Sequence, residues 1–156
     1  SLLEGLSAPA ILTPHPGEFG RLTGLPTQQI QAEREARAAE FAQRSPHLVV
    51  VLKGNGTLVT DGARVYVNTT GNPGMATGGA GDVLTGVIAA MLGQKLAPFE
   101  AAQLGVYAHG LAGDMARDHS GEIGLVAGDI VDALPDAFQH GLHEHDDEDD
   151  EIDLTM

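Results

Sequence analysis

Apolar residues recur with helical spacing directly after a glycine-rich stretch at residues 78–81. Steps of one, three and four residues place them on one face, which predicts an amphipathic helix that begins at about Asp82. The apolar positions are Val83, Leu84, Val87, Ile88, Met91 and Leu92. A glycine run leading into a helix leaves backbone N–H groups unpaired at the positive end of the helix dipole, with no Cβ atoms in the way. The pattern therefore predicts an anion-binding site.

A second pattern is the continuous apolar run within residues 47–52, which shows no polar alternation. Such a run is typical of a strand buried on both faces, and it predicts a central parallel strand. A short strand is predicted before it at residues 8–13, and a hairpin with an Asp61-Gly62 turn after it at residues 58–68. Helices are predicted at about residues 28–44, capped by Thr27, and at 99–119 and 130–138. This order of elements predicts half of a layered α/β fold.

Composition narrows the class of protein. The 156 residues are enough for one domain with a hydrophobic core, and the absence of cysteine excludes disulfides, thiolate catalysis and zinc–thiolate sites. No apolar run approaches the roughly 20 residues that a membrane span needs, and the first residues lack the pattern of a signal peptide. The expectation is a cytoplasmic protein that does not bind membranes.

The net charge of −14 is concentrated at one end of the chain. Eight of the 22 acidic residues lie within residues 143–156, and the other 14 stand against 8 basic residues, a balance of −6. The chain without these last residues is still negatively charged, which argues against a nucleic-acid partner. We expect a domain at residues 1–141 and an acidic tail at 142–156, with a composition typical of disordered, solubilising segments.

Three further positions carry candidate chemistry. His15 lies between two prolines just after the first strand, where parallel sheets bind ligands; the alternative is a turn residue that bonds its neighbours. Residues 53–57 follow the central strand, and their lysine is placed to reach a nucleotide phosphate, although the same residues also suit a turn into the hairpin. Asp82 is either a helix cap or a catalytic carboxylate. His109 is interpreted as a satisfied histidine of a helix face or core.

Several known motifs are absent from the sequence. It contains no G-x-x-x-x-G-K-[ST] phosphate loop, no G-x-G-x-x-G after a strand and no G-x-S-x-G nucleophile elbow. P-loop nucleotide hydrolysis, Rossmann dinucleotide binding and serine hydrolase chemistry are therefore not indicated.

The glycine stretch GGAGD, from Gly78 to Asp82, resembles the anion-hole signature of ribokinase-like kinases. With TPHPGEFGRLTG at 13–24, VVLKGNGTLV at 50–59 and NPGMATGGAGDVLTGVIAAMLGQ at 72–94, the chain is similar to the ADP- or ATP-dependent NAD(P)H-hydrate dehydratases. The resemblance extends over roughly residues 8–135. It implies a three-layer ribokinase-like sandwich with a mostly parallel central sheet, of which only the C-terminal half is present.

The resemblance also implies a reaction. A phosphoryl group from ADP or ATP would move to the ring hydroxyl of NADHX or NADPHX, and its departure with a ring proton would restore the cofactor. Asp82 would act as the base, and Gly79, Ala80 and Gly81 would present N–H groups to the moving phosphoryl group. His15 would contact the substrate. Mg²⁺ would bridge the phosphates, with no metal cage formed by the protein. The nucleotide site would comprise Lys53, Gly54, Asn55, Gly56, Thr57 and Gly81.

Two alternatives stay open at this point. One is a ribokinase-fold kinase for a vitamin precursor such as hydroxymethylpyrimidine, hydroxyethylthiazole or pyridoxal, which would release a stable phosphate ester. The other is a truncated nucleotide-binding module without turnover, since members of the resembled family are roughly twice this length. We expect a fragment whose first strand leaves an open sheet edge unless partners in a homo-oligomer cover it. We also expect weak turnover or none.

Overall fold

The structure of the chain is a computed structural model that describes Leu3 and residues 5–143. A short 3₁₀ turn at Pro73–Met75 precedes the glycine-rich stretch. The strands are β1 (Ala10–Leu12), β2 (Leu48–Leu52), β3 (Leu58–Thr60) and β4 (Val65–Val67). The helices are α1 (Pro16–Thr23), α2 (Thr27–Ala32), α3 (Arg34–Ala42), α4 (Ala80–Gly93), α5 (Pro98–Ser120) and α6 (Ala127–His143).

The four strands form one sheet in the order β1-β2-β3-β4, and the predicted α/β fold class is confirmed. The expectation of mostly parallel pairing needs a correction within this sheet. Only β1 and β2 are parallel, while β2 with β3 and β3 with β4 are antiparallel. The reason is the length of the connections, because the short links at residues 53–57 and 61–64 can join only antiparallel neighbours.

Strand β2 is buried along its whole length, as its unbroken apolar sequence predicts. Its side chains alternate between two cores, because successive residues of a strand point to opposite faces of the sheet. Val50 and Leu52 pack with Phe19 and Phe41 of α1 and α3. Val49 and Val51 pack on the other face with α4 and α5. The sheet therefore lies between two helical layers.

The predicted helix at residues 28–44 is divided in the structure. Glu33 has φ −133° and ψ 39°, outside the helical region, and it separates α2 from α3. Thr27 is the first residue of α2, and Pro26 occupies the predicted cap position. The residue after the break, Arg34, directs its guanidinium to the backbone carbonyl of Leu52 at the end of β2.

Helix α5 lies in close contact with the segment that leads to the glycine-rich stretch. A Cβ atom on Gly110 would lie 2.9 Å from both the carbonyl carbon and the Cβ of Thr70. At Gly105 it would lie 2.7 Å from the side chain of Ile88, on α4. The absence of side chains at these two positions allows α4 and residues 70–75 to pack directly on the α5 backbone.

The last helix is longer than predicted, since α6 continues to His143. Residues 144–156, nearly all of the predicted acidic tail, lie outside the described residues, and the division at 141/142 stays a prediction. Among the described residues, no helix is both long and apolar enough to cross a membrane.

We expect the close contact at Gly110 to be measurable in the free energy of unfolding. Gly110→Ala should lower it by about 1–3 kcal/mol, the usual cost of overpacking, because the new methyl group meets the Thr70 backbone. Gly86→Ala is the matched control, since Gly86 is a glycine of α4 with open space around it. There the gain in helix propensity should add up to about 1 kcal/mol. Urea unfolding of both variants tests the prediction, and a Gly110→Ala protein as stable as wild type would contradict it.

Candidate functional site

The N-terminus of α4 presents unpaired backbone donors. Gly79 is the N-cap, with φ 88° in the left-handed region that favours glycine, and the helix begins at Ala80. The N–H groups of Gly78, Gly79 and Gly81 donate no hydrogen bond to the described residues, and that of Ala80 makes a 3.4 Å turn bond to the Thr77 carbonyl. Gly78 and Gly79 are exposed. Free N–H groups at the positive end of a helix dipole are suited to bind an anion.

Asp82 lies in the first turn of α4 and is exposed. Its carboxylate makes no hydrogen bond or ion pair with any residue that the structure describes. The interpretation of Asp82 as a helix cap is therefore wrong, because Gly79 occupies the cap position and no side chain caps the helix. The helix also begins two residues earlier than predicted, because a glycine with positive φ turns the chain into it. What remains is an exposed residue, without a partner among the described residues, in the helical turn that holds the free Gly81 N–H.

Lys53 connects the end of the sheet to α4. Its backbone N–H donates to the Pro14 carbonyl at 2.9 Å, which brings the end of β2 against the segment after β1. Its Nζ lies 3.8 Å from Oε2 of Glu18. A Cβ atom on Gly81 would lie only 3.1 Å from the same Nζ, so the ammonium group lies at the first turn of α4.

His15 is the N-cap of α1, and its ring orientation is fixed by its neighbours. Nδ1 accepts hydrogen bonds from the N–H groups of Gly17 at 3.1 Å and Glu18 at 3.2 Å. The Glu18 carboxylate accepts in turn from the His15 N–H at 2.8 Å. This N–H, together with the nearby Lys53 ammonium, lowers the pKa of Glu18. His15 thus bonds its neighbours, as the turn interpretation predicts, and its half-exposed ring also contacts the Glu18 carboxylate, with Nε2 3.4 Å from Oε1.

Arg34 holds the loop at residues 53–57. Its guanidinium donates to the carbonyl groups of Leu52 at 3.0 Å and Gly56 at 3.2 Å, with a longer contact to Lys53 at 3.4 Å. Gly54 has φ 136°, and a Cβ atom there would lie 3.0 Å from Arg34 Nη1. Burial lowers the pKa of Arg34. Sequence reasoning missed this residue, because nothing local distinguishes it from the other arginines of the helix.

The rest of the predicted nucleotide loop is closed by one side chain. The Thr57 hydroxyl donates to the Gly54 carbonyl at 3.0 Å. Asn55 lies at the exposed tip of the loop. A hydrogen bond from Thr57 therefore closes the loop internally, and Arg34 binds its carbonyl groups.

His109 of α5 is buried and contacts the glycine stretch. Its Nε2 lies 3.0 Å from the Ala80 carbonyl, and since a carbonyl only accepts, Nε2 carries the proton and donates. Burial lowers the pKa of His109, which keeps the ring neutral at pH 7. The sequence interpretation of a satisfied histidine is confirmed, but its contact with the candidate site was not foreseen.

The structure brings the three predicted stretches together at one place. Glu18 is in contact with both His15 and Lys53, and Lys53 Nζ approaches Gly81. The hydroxyl groups of Thr13 and Thr85 lie 3.4 Å apart and connect the end of β1 to α4. Within the described residues, no three His, Asp or Glu side chains are grouped as a protein metal site requires. The result is a candidate anion site at the carboxyl ends of β1 and β2.

Comparison with known proteins identifies similar chains. The family model described as NAD(P)H-hydrate dehydratase matches residues 2–136. The bifunctional NAD(P)H-hydrate repair enzyme of Moorella thermoacetica is 51% identical over 136 residues, which are 86% of this chain and 25% of that protein. This chain thus spans about a quarter of that relative.

Solved structures agree with the sequence match. The ADP/ATP-dependent NAD(P)H-hydrate dehydratase of Bacillus subtilis, co-crystallised with ATP/Mg²⁺, is 40% identical with a TM-score of 0.80, over 85% of this chain and 48% of that one. A ribokinase-like superfamily protein of Enterococcus faecalis is 34% identical with a TM-score of 0.69, over 86% of this chain and 46% of that one. The predicted ribokinase-like fold is confirmed.

We expect Arg34 to contribute more than its surface neighbour Arg37 to the free energy of unfolding and to ADP binding. Arg34→Met should lower the free energy of unfolding by about 1–3 kcal/mol, because three carbonyl groups lose a charged donor. It should also weaken ADP binding, since the loop at 53–57 is released. Arg37→Met is the control, because the partners of Arg37 among the described residues are the exposed Glu33 and Glu40, and such pairs contribute little. Urea unfolding and calorimetry with ADP test this, and equal effects of the two substitutions would refute it.

Proposed function

The chain belongs to the NAD(P)H-hydrate dehydratase family, and on that premise we propose that it takes part in the nucleotide-dependent dehydration of hydrated NADH or NADPH. One observation carries the proposal. Asp82 is exposed, makes no bond with the described residues, and lies in the first turn of α4, which also holds the free Gly81 N–H and is approached by the ammonium of Lys53. A base beside an anion site is what phosphoryl transfer to a hydroxyl group requires.

The nucleotide phosphates bind between the loop at residues 53–57 and the first turn of α4. Lys53 supplies the positive charge, and Gly81 allows close approach because it has no side chain to block the ammonium group. ADP or ATP is the donor, a choice supported by the name of the Bacillus subtilis relative. Mg²⁺ would enter with the nucleotide, and the described residues, which include no cluster of three His, Asp or Glu, would not hold it on their own. When bound, it neutralises charge on the phosphates.

The reaction begins at Asp82, which removes the proton from the ring hydroxyl of the substrate. The hydroxyl oxygen forms a bond to the terminal phosphorus, and the bond from that phosphorus to its bridging oxygen breaks, so that AMP or ADP leaves. The N–H groups of Gly79, Ala80 and Gly81 stabilise the charge on the moving phosphoryl group. The phosphate then leaves the ring together with a ring proton, which restores the double bond of NADH or NADPH. His15, whose ring is half exposed, contacts the substrate.

The remaining assignments are proposals of the same kind. The chain forms a homo-oligomer in the cytoplasm, with a ribokinase-like portion at residues 1–141 followed by an acidic tail. Support for a covering partner comes from the described part of β1, which pairs with β2 alone and leaves its other edge without a strand.

The direct test supplies the chain with NADHX and Mg²⁺, with ADP and ATP in parallel, and follows the absorbance of the reduced nicotinamide ring. Recovery of NADH with either nucleotide is the expected result. A stable phosphate ester in its place would indicate a ribokinase-fold kinase. ADP binding without any turnover would indicate a nucleotide-binding module, and no nucleotide binding would contradict the assignment of the phosphate site.

We expect Asp82→Asn to separate binding from chemistry. Because the base is lost while the N–H groups stay in place, the rate of NADH recovery should fall by about 10²–10⁴, the usual contribution of a general base. The dissociation constant for ADP should change little. Asp118→Asn is the matched control, since Asp118 is an exposed residue of α5 paired with Arg117. An Asp82→Asn protein with the wild-type rate would exclude Asp82 as the base.

A further inference from the structure

We propose that His109 is a positioning residue for the phosphate site, where it fixes the direction and strengthens the donor character of the Gly81 N–H group. The inference rests on the proposed function, because it gives this N–H group a phosphate oxygen to bind. The contact on which it depends is the 3.0 Å hydrogen bond from His109 Nε2 to the Ala80 carbonyl.

The peptide unit between Ala80 and Gly81 connects His109 to the phosphate site. The Ala80 carbonyl and the Gly81 N–H belong to the same planar group, and the chain contains no cis peptide bond among the described residues. In a trans peptide the C=O and N–H bonds point in opposite directions. His109 binds the carbonyl from the protein interior, and because the unit lies in the first turn of α4, the Gly81 N–H points towards the N-terminal end of the helix. That N–H donates to none of the described residues.

The backbone around this peptide is free to move, so each restraint on it matters. Glycine lies on both sides of Ala80, and Gly79 already adopts φ 88°. Glycine backbones have wide conformational freedom, and N–H groups in the first turn of a helix have no intrahelical acceptor to hold them. In the first turn of α4 the Ala80 carbonyl is placed to accept the helical bond from the Leu84 N–H, and the buried His109 donor adds a second restraint on the same carbonyl. Hydrogen bonds in a chain also polarise one another, so a bond accepted by the carbonyl makes the N–H of the same unit a better donor.

The His109 ring acts on the phosphate site without a charge of its own. Burial lowers the pKa of His109, so the imidazole is neutral at pH 7 and adds no charge of its own to the phosphate site. Its effect is transmitted through the peptide dipole. A cation at the same position would be buried without a counter-ion, which is costly.

The segment that leads to the glycine-rich stretch is attached to α5 independently, at residues 71 and 72. Asp114 accepts from the Gly71 N–H at 2.8 Å and from Asn72 Nδ2 at 2.9 Å, and Asn72 also donates to the Gly113 carbonyl. Loss of the His109 bond therefore leaves the segment attached to α5. A change at His109 should affect the peptide at 80–81 more than the fold.

The test compares His109→Leu with His109→Gln in the full 156-residue chain. Leucine removes the donor, whereas the amide nitrogen of glutamine reaches about as far as Nε2 and can replace it. We expect the dissociation constants for ADP and for inorganic pyrophosphate to rise about tenfold in His109→Leu, the usual worth of one hydrogen bond, and less than threefold in His109→Gln. His119→Gln, an exposed histidine in the last turn of α5, is the control and should bind as wild type does.

A second measurement reports on the peptide itself. In the free protein, the Gly81 amide proton should move upfield in His109→Leu and stay near its wild-type frequency in His109→Gln. Where His109→Leu does not fold, His109→Asn replaces it, because its amide is one methylene shorter and does not reach the carbonyl.

The outcomes separate this inference from the proposed function. Wild-type affinity and an unmoved Gly81 signal in the donor-free variant would overturn the role of His109 alone. Equal losses of affinity and of unfolding free energy in the leucine and glutamine variants would reduce His109 to a core residue. Failure of the wild-type chain to bind ADP or pyrophosphate would contradict the phosphate site and this inference with it.

Discussion

The packing of α5 against residues 68–80 is the interaction on which the site depends. The Thr70 hydroxyl donates to the Tyr107 carbonyl at 2.9 Å, and Asp114 accepts from the Gly71 N–H. Gly110 allows the backbones to approach, and His109 binds the Ala80 carbonyl at the far end of the segment. Helix α5 therefore fixes the position of residues 68–80 and of the start of α4. The position of the free N–H groups follows from this packing.

The charges around the site offset one another in a way that leaves room for a ligand. The ammonium of Lys53 faces the Glu18 carboxylate at 3.8 Å, too far for a strong hydrogen bond, so a phosphate can compete for it. Asp82 would repel a phosphate if it stood alone. The helix dipole and the free N–H groups of Gly79 and Gly81 balance that repulsion without adding a second ionised group. A carboxylate base and an anion can therefore occupy neighbouring positions.

The sequence predicted the parts of the site that are encoded locally. The glycine run before a helix, the lysine after a buried strand and the histidine between prolines each have chemistry that can be read from adjacent residues. Arg34 and His109 could not be assigned in this way, because their partners Leu52 and Ala80 lie 18 and 29 residues away in the chain. The hairpin after β2 is also encoded locally, by the Asp61-Gly62 turn, and it adds the two antiparallel strands to the sheet.

The central claim is that the N–H groups at the start of α4 receive a nucleotide phosphate beside the loop at residues 53–57. The most direct measurement is a titration of the ¹⁵N-labelled chain with ADP in the presence of Mg²⁺, followed through the backbone amide signals. The account predicts saturable shifts that are largest at Gly79, Gly81 and Asp82 and at residues 53–57. Shifts that centre elsewhere, or signals at Gly79 and Gly81 that do not move at saturating ADP, would contradict it.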